Sequence, residues 1–428
     1  MRKMTLLFLL LAVACPINVV AQLPAPLISA PEAVLHDSPF TITVTGLTPN
    51  ATYVLRTEMY SQAGTIWRSE SEFRADASGS IDLSKNAPVA GSYTGVDRLG
   101  PLWSMQNTKE RSGNSSLFAN FDQTPVLFQI REGDKPLARK LVTLRTREIG
   151  VSTVEVRGEV TGTYFSPAST KGRRGPAVIV LPGSEGGVAR PNAALVASHG
   201  YPTLALAYFG FDKLPAELER IPVETVDRAI EWLGAQAGVD PDRIVIQGGS
   251  KGAELALVAA SLNKRIAGVI AISPSSVVYE GISNSKTPVT SWTMKGADLP
   301  FAPYISNDKY KTSRRLIDLY DPTLHAAPEA SRIAVERIAG PILLISGKGD
   351  TLWPSSRMAD EIAERLKNKS FRHEVTNLQF DDVGHHAAGI PLRPTADSVR
   401  LGGTARSIGH AQVEAWQAIV AFLSRLKK

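Results

Sequence analysis

Apolar positions along the chain change rhythm near residue 176. Before it, from Gln22 to about Gly150, they recur in twos. Phe40-Thr41-Ile42-Thr43-Val44-Thr45 alternates apolar with polar, and Tyr53-Val54-Leu55-Arg56 does so more loosely. Pro31, Gly46, Pro49-Asn50, Gly64 and Gly79 interrupt the runs at the short spacing of a sandwich. Helical periodicity is absent, so the pattern predicts an all-β sandwich domain over residues 22–165, with 153–165 as a strand pair leading out. Ser166 to Pro176, rich in Gly, Lys and Arg, reads as a linker.

After Pro176 the pattern alternates between two kinds of segment. Ala177–Leu181 is a continuous apolar run, as expected of a strand buried on both faces, Thr203–Tyr208 reads as another buried strand, and Arg243–Gln247, Ile266–Ile272 and Pro341–Ser346 read as further strands. Between them lie helical spacings. Val223, Val226, Ile230 and Leu233 recur at three and four, and Ala253–Leu262 and Met358–Leu366 are helix-like. Phe371–Phe380 holds one more strand, and Val413, Trp416, Val420 and Leu423 line a last helix. Strands alternating with helices predict a mostly parallel, doubly wound α/β sheet over 177–428. The alternation stops between Pro274 and Gly340, where an insertion is expected to act as a lid or pocket wall. Within it, Trp292, Phe301 and Tyr304 are expected to form a small core rather than line the pocket.

The chain's 428 residues exceed one ordinary core, which agrees with two domains. A hydrophobic content of 43% with 21% charged residues is ordinary globular composition. The formal charge of +6 is scattered, with no basic run interleaved with aromatics, and this argues against nucleic-acid binding. At the N-terminus Arg2 and Lys3 precede an apolar stretch, Thr5–Ala14, too short to span a bilayer. With Val19-Val20-Ala21 offering small residues before Gln22, residues 1–21 read as a secretory signal peptide and predict an exported protein. A second reading takes Ala12-Val13-Ala14-Cys15 as a lipobox with Cys15 as a lipid anchor. Cys15 is the only cysteine, so a chain cleaved after Ala21 has no disulfide and no thiolate metal site. Neither a metal nor a cofactor is expected, and no later stretch is apolar and long enough to span a membrane.

One turn carries chemistry. Gly248-Gly249-Ser250-Lys251-Gly252 follows the strand Ile244-Val245-Ile246 and precedes a helix. A serine hydroxyl is a poor nucleophile unless it is exposed and a base takes its proton. A glycine-flanked strand-to-helix turn exposes it, as in α/β-hydrolases. In that fold an acid follows a later strand and the base comes last. Asp350 ends the strand-and-turn run Leu343–Gly349, and His385 follows Gly384 after the final strand, with His386 as the competitor. The order Ser250, Asp350, His385 suits the fold. The backbone N–H of Lys251, after the nucleophile, is one expected oxyanion donor. The other comes from the loop Pro182–Gly187, with Ser184 preferred to Glu185. Glu254 is expected to be a buried partner for a loop N–H. His36, His199, His325, His373 and His410 lack a strand-end context and read as structural or exposed.

Several segments together resemble the acyl-CoA thioesterase and bile acid-CoA:amino acid N-acyltransferase family. They are Ser38-Pro39-Phe40, Gly91–Gly95, Gly100–Met105, Leu204–Phe209 with Leu214-Pro215, Gly249–Leu255, and Gly402-Gly403 with Ala411–Trp416. The resemblance covers nearly all of the chain after residue 21. It implies an Ig-like N-terminal sandwich, a small-molecule acyl thioester or ester substrate, and a triad on Ser250, Asp350 and His385. The amidating branch of that family has cysteine at the nucleophile position. Ser250 therefore favours hydrolysis over transfer to an amino acid, whereas an exported chain would rarely meet CoA thioesters.

Overall fold

A computed structural model describes residues 25–60, 65–108, 122–168 and 174–426. The signal-peptide and Cys15 readings lie outside the described residues. Among the described residues no helix is long and apolar enough to cross a membrane.

The N-terminal part holds two sheets around one core. The larger is built on the long strands Thr52–Tyr60, Ile66–Arg74, Gln123–Glu132 and Lys135–Arg145, paired antiparallel in sequence order except that Gln123–Glu132 lies between Thr52–Tyr60 and Lys135–Arg145. The smaller pairs Leu27–Ser29, Thr43–Thr45 and Ile81–Asp82. Ile28, Val44 and Ile81 from the small sheet join Leu55, Phe73, Phe128 and Val142 from the large one in a single buried cluster. Period-two alternation is the reason: Thr52–Tyr60 and Ile66–Arg74 each turn every second side chain inward. The expected all-β character is broken by one helical turn, Gly100–Trp103. The strand expected over Phe40–Thr45 is confined to Thr43–Thr45.

The C-terminal part is built on an eight-stranded sheet and also holds a small three-stranded one, Ile221–Pro222, Trp292–Met294 and Ala297–Asp298. The strands of the larger sheet are β1 (Ser152–Val156), β2 (Thr161–Ser166), β3 (Gly175–Leu181), β4 (Thr203–Ala207), β5 (Val239–Gly249), β6 (Ile266–Ile272), β7 (Ile342–Gly347) and β8 (Val375–Phe380). They lie in the order β1-β2-β4-β3-β5-β6-β7-β8. From β4 to β8 all neighbours are parallel, whereas β2 runs antiparallel to both β1 and β4.

The strand pair over 153–165 thus differs from its expected place at the end of the sandwich. Thr161–Phe165 is buried along its whole length and pairs residue by residue with Thr203–Ala207. A strand buried on both faces needs a neighbour within a covered sheet, and β4 supplies it. Residues 166–176 accordingly connect two strands of this sheet rather than two domains.

Helices cover both faces. On one side lie α2 (Glu224–Gly234), α3 (Lys251–Leu262) and α4 (Ser355–Asn368); on the other lie α1 (Arg190–Ser198) and α5 (Ala405–Arg425). The central strands divide their side chains between the two layers. Ala177, Ile179 and Leu181 join the first, and Val178 and Val180 the second. This arrangement is an α/β-hydrolase fold.

Candidate active site

Ser250 sits at the carboxyl end of β5, one residue before α3. Its backbone is held at φ 55° and ψ −123°, outside the regions a serine ordinarily adopts. The turn fits because its glycines lack side chains. A Cβ on Gly248 would meet Gly252 O at 2.1 Å, and one on Gly252 would meet Pro182 O at 2.2 Å. Ser250 N–H donates to Ile272 O on β6, which ties the strained residue to the sheet.

Asp350 follows β7. Its Oδ1 accepts the backbone N–H of Leu352 at 2.9 Å and of Trp353 at 3.3 Å. Its Oδ2 accepts Ser355 Oγ at 2.6 Å and lies 2.8 Å from His385 Nδ1. The pair is buried, with side chains 2% and 6% exposed, so water competes little for the bond. Asp350 thus serves both as the turn's N–H acceptor and as the imidazole's partner. Two backbone bonds clamp His385: its N–H donates to Leu401 O, and its O accepts Ser273 Oγ. Trp353 packs against the ring with centroids 5.7 Å apart. His386, the competitor, lines the pocket, but the bond from Asp350 goes to His385.

Ser250 and His385 line one pocket of about 250 Å³ at the carboxyl edge of the sheet. Ser184 and Glu185 line it too, with Ala189, Ile272, Leu352 and Leu401 as its apolar part. As the first residue of α3, Lys251 has no carbonyl four residues back within the helix to take its N–H. Glu185 Oε1 accepts the N–H of Gly183 at 2.9 Å, and Tyr208 donates its hydroxyl to Pro182 O at 2.8 Å. Burial, with Glu185 and Glu254 nearby, pushes the Tyr208 phenol well above its ordinary range, which keeps it a donor.

The side chain of Lys251 turns away from the pocket. Its ammonium donates to Glu254 Oε1 and to Ser291 Oγ, each at 2.7 Å, and both charges are buried. Glu254 Oε1 also accepts Trp292 Nε1 at 2.7 Å and Tyr279 N at 3.3 Å. Burial lowers the Lys251 pKa and raises that of Glu254, and their mutual attraction opposes both shifts. Glu254 is thus the buried acceptor of a loop N–H, as expected.

The segment 274–340 supplies none of the residues lining this pocket. Its expected role as lid or wall is replaced by packing behind α3. Glu254 fastens Tyr279 and Trp292 there, and Tyr279, Tyr320 and Trp353 form an aromatic cluster with Tyr304. Trp292 is fully buried, and Phe301 and Tyr304 pack on core clusters, so the core reading of all three holds. The contributions of Ser273, Ser355, Trp353 and the Glu185 side chain were not anticipated. Of these, Trp353 and Ser355, three and five residues after Asp350, are close enough in sequence to signal a role.

Comparisons with known proteins bear on the family of the chain. The model of the acyl-CoA thioester hydrolase/BAAT N-terminal region matches residues 37–158, and that of the BAAT/acyl-CoA thioester hydrolase C terminal matches 221–427. The chain is 30% identical to acyl-coenzyme A thioesterase 6 of Mus musculus, over 91% of this chain and 93% of that protein. It is 28% identical to the peroxisomal succinyl-coenzyme A thioesterase of the same organism, with the same coverage. A Pyrobaculum calidifontis esterase superposes with a TM-score of 0.41 at 17% identity, covering 65% of this chain and 85% of that one. Two family models in sequence order, and relatives aligned over nine-tenths of the chain, make this protein a member of the acyl-CoA thioester hydrolase/BAAT family.

Proposed function

We propose that the protein hydrolyses acyl thioesters, acyl-CoA foremost, through a covalent acyl-enzyme on Ser250. The observation that carries the reading is the buried hydrogen bond between His385 and Asp350 beside a pocket that also holds Ser250 at a strained turn. Asp350 fixes the tautomer that leaves His385 Nε2 free of a proton. That nitrogen takes the Ser250 proton as Oγ attacks the acyl carbonyl. The N–H groups of Lys251 and Ser184 face the oxygen that becomes negative. His385 then protonates the departing thiolate, and water, activated by the same imidazole, releases the carboxylic acid. Serine rather than cysteine at position 250 favours water over an amine as acceptor.

The test is Ser250→Ala. Thioester turnover should fall by about 10⁴-fold or more, and a fluorophosphonate probe should no longer label the chain. Undiminished hydrolysis by this variant would remove Ser250 from the mechanism.

A second reading keeps the triad and changes the leaving group. The basic Arg2-Lys3 followed by the apolar Thr5–Ala14 supports export, where a simple ester is the available substrate. Parallel rates on acyl-CoA and aryl esters, with the mass of the mature N-terminus, separate the two. The N-terminal sheets, packed on one core, are read as an Ig-like sandwich that ends with Lys135–Arg145 and braces a catalytic domain that begins at β1 (Ser152–Val156).

A further inference from the structure

We propose that Glu185 sorts acyl groups by charge, so that the pocket admits neutral chains and rejects those ending in a carboxylate. The proposal rests on the acyl-hydrolase reading of the site and names the substrate class within it.

Glu185 lies in the loop that follows β3, exposed toward the pocket it lines. It is not a wandering surface acid. Its Oε1 is fastened to Gly183 N–H at 2.9 Å. A methyl placed on Gly183 would lie 2.7 Å from Glu185 Oε2 and 3.3 Å from Ser250 Cβ. The second carboxylate oxygen is therefore no farther from the nucleophile's Cβ than those two lengths laid end to end.

Nothing in the lining offsets that charge. Among the described residues, the other side chains facing the pocket are apolar or neutral, apart from the imidazoles of His385 and His386, and no lysine or arginine lines it. Lys251, next to the nucleophile, gives its ammonium to Glu254 and Ser291 instead. A short acyl chain with a terminal carboxylate would bring a second negative charge into the same half-enclosed pocket as Glu185, where screening is weaker than in bulk water. A methyl-terminated chain of equal length meets no such cost and gains contact with Ile272, Leu352 and Leu401.

Butyryl-CoA and succinyl-CoA make the test, because their acyl groups share four carbons and differ in a terminal carboxylate. The full chain should show kcat/KM at least about tenfold higher for butyryl. Glu185→Gln keeps an acceptor for Gly183 N–H and removes the charge, so the butyryl-to-succinyl ratio should fall by about tenfold. Glu185→Ala should lower the ratio equally while also slowing both substrates, because the loop loses its tether. A wild-type ratio near one, or a Gln ratio within twofold of wild type, overturns the proposal. Absence of turnover with any thioester or ester would instead sink the acyl-hydrolase reading itself.

Discussion

Ser250 holds a backbone conformation that costs about 1–3 kcal/mol for a residue other than glycine. The surrounding bonds over-determine it, with Ile272 O holding its N–H and α3 starting at the next residue. Strain at this position was legible in the sequence, because a serine set among glycines between strand and helix has few other geometries. The choice between His385 and His386 was less so. Adjacent residues point apart, and only the folded position of Asp350 selects one of them. Asp350→Asn keeps the size of the side chain. Its amide would offer a donor where His385 Nδ1–H needs an acceptor, which favours the wrong tautomer. By analogy with other serine triads, kcat should fall by about 10⁴-fold with KM little changed. Steady-state kinetics on the purified variant check this, and a loss below tenfold would remove Asp350 from its assigned role.

At the scale of elements, α3 is more than a support for the turn. Lys251 and Glu254 lie three apart on one helix face and anchor Tyr279, Ser291 and Trp292 from the following segment. Removing one partner of such a pair leaves a buried charge without its counterion. Lys251→Met should therefore cost about 3–5 kcal/mol in denaturant unfolding. Lys251→Met combined with Glu254→Leu should cost clearly less than the sum of the single changes, because neither charge is then stranded. Additive losses would mean that the two side chains act independently. Helix α3 itself was legible from its apolar content. Its partners were not, because the 274–340 segment carries no periodicity that says which face it covers. Likewise, β2 is a buried run short enough to suit either domain, and only its ladder with β4 assigns it.

Across the whole molecule, the two domains meet along α5 and the loop before it. Leu392 and Val413 enter the N-terminal core cluster, and His36 Nδ1 lies 2.8 Å from Pro391 O. Asp97, buried in the N-terminal domain, binds His410 Nε2 at 2.7 Å across this boundary, with Trp103 Nε1 at 3.0 Å and Leu99 N at 2.9 Å on its own side. Burial alone would raise the Asp97 pKa. The bonds from His410, Trp103 and Leu99 outweigh it and leave the carboxyl below its ordinary 3.8. A depressed carboxyl stabilises the folded state above the unfolded pKa, and that contribution is lost as pH falls through the folded value. The interface should therefore hold at neutral pH and weaken only below about pH 4. Asp97→Asn should lower the Tm at pH 7 and flatten its decline on acidification. Parallel melts from pH 7 to pH 3 check this, and equal slopes for variant and wild type would show that Asp97 does not carry the effect.

The amino-acid sequence by itself determined the alternation of strand and helix, the glycine-flanked turn at Ser250, and the chain order of Ser250, Asp350 and His385. These are local properties, written in spacings of two, three and four residues and in the few residue types a tight turn accepts. Tertiary structure alone decided that His385 rather than His386 meets Asp350, that residues 274–340 pack behind α3 instead of walling the pocket, and that Glu185 is tethered beside the nucleophile. Each of these depends on contacts between separate segments, whose partners are chosen by burial and hydrogen bonding in the assembled molecule and leave no period in the chain.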